Sequence, residues 1–352
     1  MRDVPQRSTV GRVGLGGYPL AGRGERVAFQ KPRQVRMDVS VVIPTRNRSA
    51  LLSRTLRSAL RQERVDFEVI VVDDASNDET PALLSALDDH RVRVLRHETL
   101  RGLSSSRNHG AEHARAEWLA FLDDDDLWAP DKLFRQLSAA SDAGRDWAYT
   151  GSVNIENGRI VRSAPAPSEE EVVATLPRFP ILPGGGSNVI VRRETFTKVG
   201  PFNTRLVRGG EDWELWIRLA KHGWPAGVRE PLMAKRIHSS NMFGETDRIV
   251  RATTVIQTLH DTPIDWGRMY LWLAERYLRE GRWPTALSTS TKAAAHGHVV
   301  GTAAVLLPYV RDRVRRTLGL RQRPRIPSDG GAALAAAWLR EFEPLLDDST
   351  TV

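Results

Sequence analysis

Four consecutive aspartates, Asp123, Asp124, Asp125 and Asp126, follow the apolar run Trp118-Leu119-Ala120-Phe121-Leu122 and precede Leu127-Trp128. Acid runs ordinarily lie in solvated loops or tails, whereas this one stands where a buried strand should end. Carboxylates crowded beside apolar residues repel one another and lose hydration. A divalent cation relieves both, because it accepts hard oxygen ligands and reverses the local electrostatics. Asp73-Asp74 stands in the same relation to the apolar run Val69-Ile70-Val71-Val72. The plain alternatives are a turn with helix-capping acids for Asp73-Asp74 and a solvated loop for the longer run. Asp88-Asp89 falls at a helix end, where hydration suffices, and is set aside.

The elements that position these acids alternate between strand and helix from Val39 onward. Val39-Ser40-Val41-Val42-Ile43 reads as a buried strand stopped by Pro44. Leu51, Leu52, Thr55, Leu56, Ala59 and Leu60 recur at helical spacing. Residues 69–72 form a second strand, apolar on both faces as in parallel sheets covered by helices. Asp78 caps a helix with Pro81 in its first turn. Strands at residues 92–95 and 118–122 flank a helix over 104–114. Four such βα units predict an α/β, doubly wound, mostly parallel sheet flanked by helices. In such sheets ligands bind beyond the carboxyl ends of the strands. Pro44-Thr45-Arg46-Asn47-Arg48, Asp73-Asp74-Ala75-Ser76 and the four aspartates then meet on one edge.

Beyond residue 180 the pattern predicts a strand near 187–191, a short helix over 194–199, a helix over 211–221 and a strand over 232–237. From about Val250 it is helical throughout. Residues 270–277 and 286–295, joined by Glu280-Gly281-Arg282, form a hairpin resembling one tetratricopeptide unit. Val305 to Leu318 combines Leu306, Leu307 and Val310 with Arg311, Arg313, Arg315 and Arg316. This basic amphipathic helix either lies on an anionic membrane surface or packs with a solvated basic face.

The 352 residues suffice for a sizeable core, and the absence of cysteine excludes disulfides, thiolate zinc sites and a cysteine nucleophile. No apolar run approaches the ~20 residues that span a bilayer. The start lacks a secretory leader pattern, so the expected location is cytoplasmic, or peripheral at the inner membrane face. The net charge of +8 suits nucleic acid, anionic lipid or a phosphorylated small molecule. The acid cluster within a basic chain favours the last, with no nucleic acid partner.

Two rival motifs are weak. Gly14-Leu15-Gly16-Gly17 follows no strand and has Pro19 where a third loop glycine would stand. His109-Gly110-Ala111-Glu112-His113 matches the H-x-x-E-H zinc pattern, but Gly110 weakens its helix and no third ligand is evident.

The ordered segments Val41-Val42-Ile43-Pro44-Thr45-Arg46-Asn47-Arg48, Val71-Val72-Asp73-Asp74-Ala75-Ser76, Arg107-Asn108, Phe121-Leu122-Asp123-Asp124-Asp125-Asp126-Leu127-Trp128, Val199-Gly200-Pro201-Phe202 and Gly210-Glu211-Asp212-Trp213 resemble family 2 glycosyltransferases over about residues 38–240. The resemblance implies a Rossmann-like GT-A fold with a C-terminal α-helical extension. Its boundaries would be a flexible extension over 1–37, a catalytic domain over 38–245, a helical region over 246–320, and a linker with a short terminal helix over 321–352. Met37, just before regular structure begins, is a candidate true start.

The resemblance further implies inverting transfer of a sugar from a UDP-, dTDP- or GDP-linked donor to a hydroxyl on a glycan, lipid-linked or small-molecule acceptor. Asp125 would be the principal Mn²⁺ or Mg²⁺ ligand, with Asp123 supporting it and His238 nearby. Asp124 would lie near the ribose, Asp74 at the nucleobase with Pro44, Thr45, Arg46 and Asn47 around it, and Arg107 towards the nucleotide. Asp212 would be the catalytic base, with Glu211 and Trp213 on the acceptor side. Trp128, Trp213 and Trp216 are either flat sugar platforms or core aromatics. The four-aspartate run also permits the register Asp124 with Asp126, which the flanking Leu122 and Leu127-Trp128 disfavour. The competing readings are a metal-dependent nucleotidyltransferase, whose usual Gly- and Lys-containing loop after the first strand is missing, and a non-catalytic scaffold.

Overall fold

The computed structural model describes residues 37–206, 209–238, 246–317 and 330–342. The expected extension over 1–37 and the Gly14 loop lie outside these residues, Met37 excepted. So do the junction at residue 245 and the linker after 321. The described residues all belong to one unit that begins at Arg36.

The first half alternates as expected: β1 (Val39–Thr45), α1 (Ser49–Ala59), β2 (Phe67–Asp73), α2 (Thr80–Ser85), β3 (Val92–Arg96), α3 (Leu103–Glu112) and β4 (Trp118–Phe121). Then come β5 (Leu127–Trp128), α4 (Lys132–Ala143), β6 (Trp147–Glu156), β7 (Arg159–Ala164), α5 (Glu169–Thr175), β8 (Ile190–Arg192), α6 (Arg193–Val199), α7 (Glu211–His222) and β9 (Ala226–Arg236). The C-terminal part holds α8 (Thr246–His260), α9 (Trp266–Arg279), α10 (Trp283–Ala295), α11 (Val299–Thr317) and α12 (Gly330–Leu339).

The sheet runs β3-β2-β1-β4-β8-β6-β9-β5, with β7 beside β6. The strands from β1 to β4 are mutually parallel. Beyond β4 the sheet is mixed: β8 is antiparallel to β4 and β6, while β6 and β9 are parallel. All seven residues of β1 are buried, because the period of two sends them to both covered faces. Val42, Ile70, Val72, Leu119 and Phe121 join one core with α7 and the helices after it. Val41, Ile43, Val69, Val71 and Leu122 join another with Leu52, Leu56 and Leu133 from α1 and α4.

Two differences from the sequence reading have physical causes. The β6–β7 hairpin was not anticipated, although Asn157-Gly158 between its strands is a two-residue turn signal with both residues at positive φ (48° and 71°). The strand expected from Ser187 starts at Ile190, because Gly185–Ser187 is a 3₁₀ turn. In that turn the next side chain, Asn188, donates to the carbonyls of Thr150 and Pro183 and accepts from the Thr150 amide.

The C-terminal helices are joined to the sheet. Met269, Leu273, Tyr277 and Ala286 share a buried cluster with Leu176, Trp213 and Trp216. The terminal helix α12 places Ala335 and Leu339 against Leu127, Val153, Ile155 and Ala234. Gly110 lets α3 approach the sheet closely, since a Cβ there would lie 2.3 Å from Val42 Cγ1. Gly110→Ala is therefore expected to destabilise the fold by about 1–3 kcal/mol through overpacking. Denaturant unfolding measures this, and an unchanged midpoint would contradict the close approach.

Candidate active site

The loops after β1, β2 and β4 meet the start of α7 around a cleft of about 620 Å³. Pro44, Thr45, Arg46, Arg48, Asp74, Arg107, Asp123, Asp124, Asp125, Glu211, Asp212 and Lys235 are among its lining residues.

After β2 the two acids diverge in role. Asp73 accepts from the Ser76 amide at 2.9 Å and pairs with Arg96, which fixes the turn. Asp74 faces the cleft. It accepts from the amides of Arg101 and Gly102 and from His97 Nδ1, each at 2.8 Å. His97 Nε2 in turn meets His109 Nδ1 at 2.8 Å. That contact and the Gly110 packing give His109 and Gly110 structural roles within the H-x-x-E-H pattern. Asn47 was expected at the nucleotide but sits outside the cleft lining. Its amide donates to Ser76 Oγ and its Oδ1 accepts from the Asn77 amide, so it joins the β1 and β2 loops.

The aspartate run fans out. Asp124 accepts from Thr45 Oγ1 at 2.8 Å and from Arg48 Nη1 at 2.9 Å. Asp125 is held by Arg48 Nη1 at 2.9 Å and His238 Nε2 at 3.0 Å. Ser187 Oγ donates to Asp126 Oδ2 at 2.6 Å and accepts from the Asp123 amide at 3.0 Å. Asp123, Asp125 and Asp126 each offer an oxygen within 4.8 Å of the others, while Asp124 is not in this group. No other metal-suited cluster occurs among the described residues. Asp126 thus joins the expected pair, although the sequence reading placed it only in the alternative register.

Electrostatics mark this cluster as short of positive charge. Burial, and then the charge of Asp125, push Asp124 up to about 7 against the pull of Arg48. Burial and Asp125 likewise raise Asp126. Burial also acts upward on Asp125, but the His238 hydrogen bond and the charges of Arg48 and Lys235 outweigh it and hold it below the usual range. Hard oxygen donors and buried acids that resist ionisation are the donor set a divalent cation requires.

Arg107 is fully buried and donates to Asp123 at 2.5 Å and to Glu211 at 3.0 Å. It therefore serves as a strut between two carboxylates as well as a cleft residue. Burial raises Glu211, and the neighbouring charge of Asp212 adds to this. Asp212, in the first turn of α7, accepts from the Trp213 amide at 2.7 Å, at a helix end that favours negative charge.

Of the two readings of the tryptophans, the structure takes the core: Trp128, Trp213 and Trp216 are all buried. Trp213 donates its indole N–H to the Leu176 carbonyl at 2.7 Å, so it offers no face to an acceptor. The sequence reading assigned no site role to His97, Ser187 or Lys235. His97 follows β3 and was accessible to the strand-end rule, whereas Ser187 and Lys235 reach the site only through long-range pairing.

A family model described as Glycosyl transferase family 2 matches residues 40–198. The succinoglycan biosynthesis protein ExoO of Rhizobium meliloti is 40% identical over 158 residues, which are 45% of this chain and 44% of that protein. The Escherichia coli UDP-Glc:alpha-D-GlcNAc-diphosphoundecaprenol beta-1,3-glucosyltransferase WfgD is 30% identical over 216 residues, 60% of this chain and 83% of its own length. The chain belongs to glycosyltransferase family 2. A solved structure of the mannosyltransferase PcManGT from Pyrobaculum calidifontis, in complex with GDP-Man and Mn²⁺, matches with a TM-score of 0.50 and 21% identity. That match covers 88% of this chain and 91% of the other. The curled mixed sheet with flanking helices of this glycosyltransferase is of the GT-A type.

The raised acids give the metal-free glycosyltransferase a definite pH response. Asp124 titrates near 3.8 when unfolded and about 7 when folded, so between these values the folded chain binds the proton more tightly. The stability contributed by this group therefore falls as pH rises from about 4 to about 7. Thermal melts with chelator are expected to show that decline, and Mn²⁺ is expected to stabilise more at pH 7.5 than at pH 5. Equal Mn²⁺ stabilisation at both pH values would contradict it.

Proposed function

We propose that this family 2 glycosyltransferase moves a sugar from a nucleoside diphosphate donor to an acceptor hydroxyl with inversion, assisted by a divalent cation, with Asp212 as general base. The observation that carries this reading is the single cleft shared by Asp74, the aspartate cluster and Asp212. The UDP-Glc in the name of the E. coli relative and the GDP-Man and Mn²⁺ of the solved neighbour support a nucleotide-sugar donor with metal.

Each residue then has a task. Asp74 is oriented by its three donors, so it accepts from a ring N–H of the nucleobase, as uracil, thymine and guanine present. Arg46 stands at the same end of the cleft and offers a planar guanidinium for stacking. Asp124, fixed by Thr45 and Arg48, lies towards the ribose. Asp123 and Asp125, with Asp126 adjoining and His238 beside Asp125, would hold Mn²⁺ or Mg²⁺. When bound, such an ion would neutralise the charge developing on the departing diphosphate. Arg48 adds a fixed positive charge at the same place. Asp212 takes the proton of the acceptor hydroxyl as it attacks the anomeric carbon. One direct displacement needs one base and inverts that carbon. Glu211, engaged by Arg107, keeps the start of α7 in register with the metal side.

Asp212→Asn is expected to lower sugar transfer by at least about 10²–10⁴-fold, while nucleotide binding stays at the wild-type level. Transfer from a panel of UDP-, dTDP- and GDP-sugars measures this, and undiminished transfer by the variant would remove Asp212 from the role.

Among the described residues no helix is long and apolar enough to cross a membrane. On α11, Val305, Leu306 and Tyr309 pack on the core, while Leu307 and Val310 are exposed beside exposed Arg311. We propose that this outer side rests on an anionic membrane surface, where lipid-linked acceptors reside. The wild-type protein is expected to float with anionic liposomes and the double variant Leu307→Asp, Val310→Asp to remain behind. Equal flotation of the two would refute the contact.

A further inference from the structure

We propose that the acceptor carries an anionic oxygen group near its attacking hydroxyl, and that Arg248 receives it. The inference rests on the reading of Asp212 as base, which fixes the end of the cleft that the acceptor enters. Arg248 lies in the first turn of α8, outside every segment that resembles the family, and lines the cleft with Thr204, Leu206, Gly209 and Asp212. Ala252 and Ile256, one and two turns further along α8, lie against Gly210, where a Cβ would meet each of them at 3.1 Å. Residues spaced by four share a helix face. Arg248 therefore extends that row over the start of α7, where Asp212 stands.

A second cation marks the same end. A Cβ on Gly185 would lie 3.1 Å from Asp212 Oδ2 and 3.9 Å from Lys235 Nζ. An arginine fork and an ammonium at this end of the cleft match a phosphate or carboxylate.

The helical region holds this arginine in place. Its neighbour Asp247 accepts from Tyr277 Oη at 2.6 Å and from Arg282 Nη1 at 3.1 Å, and the Thr246 hydroxyl donates to Glu280. Tyr277, Glu280 and Arg282 belong to α9 and the turn into α10. At the other end of α8, His260 Nε2 meets Glu214 of α7 at 3.0 Å. Both ends of α8 are thus pinned, and Asp247 and Tyr277 act as positioning residues for Arg248.

The test is calorimetric titration of the full chain, saturated with UDP and Mg²⁺, with glucose 1-phosphate, glucuronate and glucose. At least one anionic sugar is expected to bind roughly tenfold more tightly than glucose, the size of one charge-assisted hydrogen bond. A preference for glucose 1-phosphate would identify a phosphorylated acceptor, and a preference for glucuronate an acidic sugar. Arg248→Gln is expected to abolish the preference and Arg248→Lys to retain part of it. Asp247→Ala and Tyr277→Phe are expected to reduce it about threefold with UDP affinity unchanged. Equal binding of the three sugars, or a preference that survives Arg248→Gln, would overturn this inference alone. Failure of the wild-type protein to bind UDP with metal would overturn the donor reading and this inference with it.

Discussion

A single buried guanidinium holds the catalytic end of this molecule together. Arg107 rises from α3, lies over the ring of Phe202, and bonds Asp123 after β4 and Glu211 at the start of α7. Burial disfavours its charge, but the two carboxylates outweigh that and keep it protonated. Removing it would leave buried Glu211 and half-buried Asp123 without their partner, a loss of several kcal/mol, on the order of 3–5. The surroundings are built around it: a Cβ at Gly186 would lie 2.5 Å from its Nη2. Arg107 therefore ties the aspartate run after β4 to the residue next to the proposed base.

The charges around this strut do not cancel. Arg48, Arg107, Lys235 and His238 surround the aspartate run, yet Asp124 and Asp126 remain reluctant to ionise. Those acids stand at the carboxyl ends of strands, where the backbone turns away and leaves space for a ligand. The residual negative potential suits a divalent cation, and a cation there suits a diphosphate. In the proposed reaction, metal and donor would be linked through the same few carboxylates.

Much of this was legible in the sequence, for local reasons. Parallel strands covered on both faces write themselves as continuous apolar runs, so β1, β2 and β4 and the acids after them were recoverable. The antiparallel half was less so. Trp147 to Glu156 mixes Thr150, Gly151, Ser152 and Asn154 among its apolar residues, and only Asn157-Gly158 betrays the hairpin. Contacts made by one side chain across many residues left no trace at all, as with Ser187 bridging Asp123 and Asp126. Helical spacing could not distinguish a sugar platform from a core aromatic, and at Trp213 and Trp216 packing decided for the core. Asn47 has the residue type and place of a ligand contact, but its amide group is used to join two loops.

The claim on which the rest stands is that the aspartate cluster binds a metal and, through it, a nucleoside diphosphate. Calorimetric titration of the wild-type protein with UDP, dTDP and GDP, each with and without Mn²⁺, tests it most directly. At least one nucleotide is expected to bind much more tightly with Mn²⁺, and Asp125→Ala is expected to abolish this enhancement. Binding indifferent to metal, or an enhancement that survives in Asp125→Ala, would contradict it.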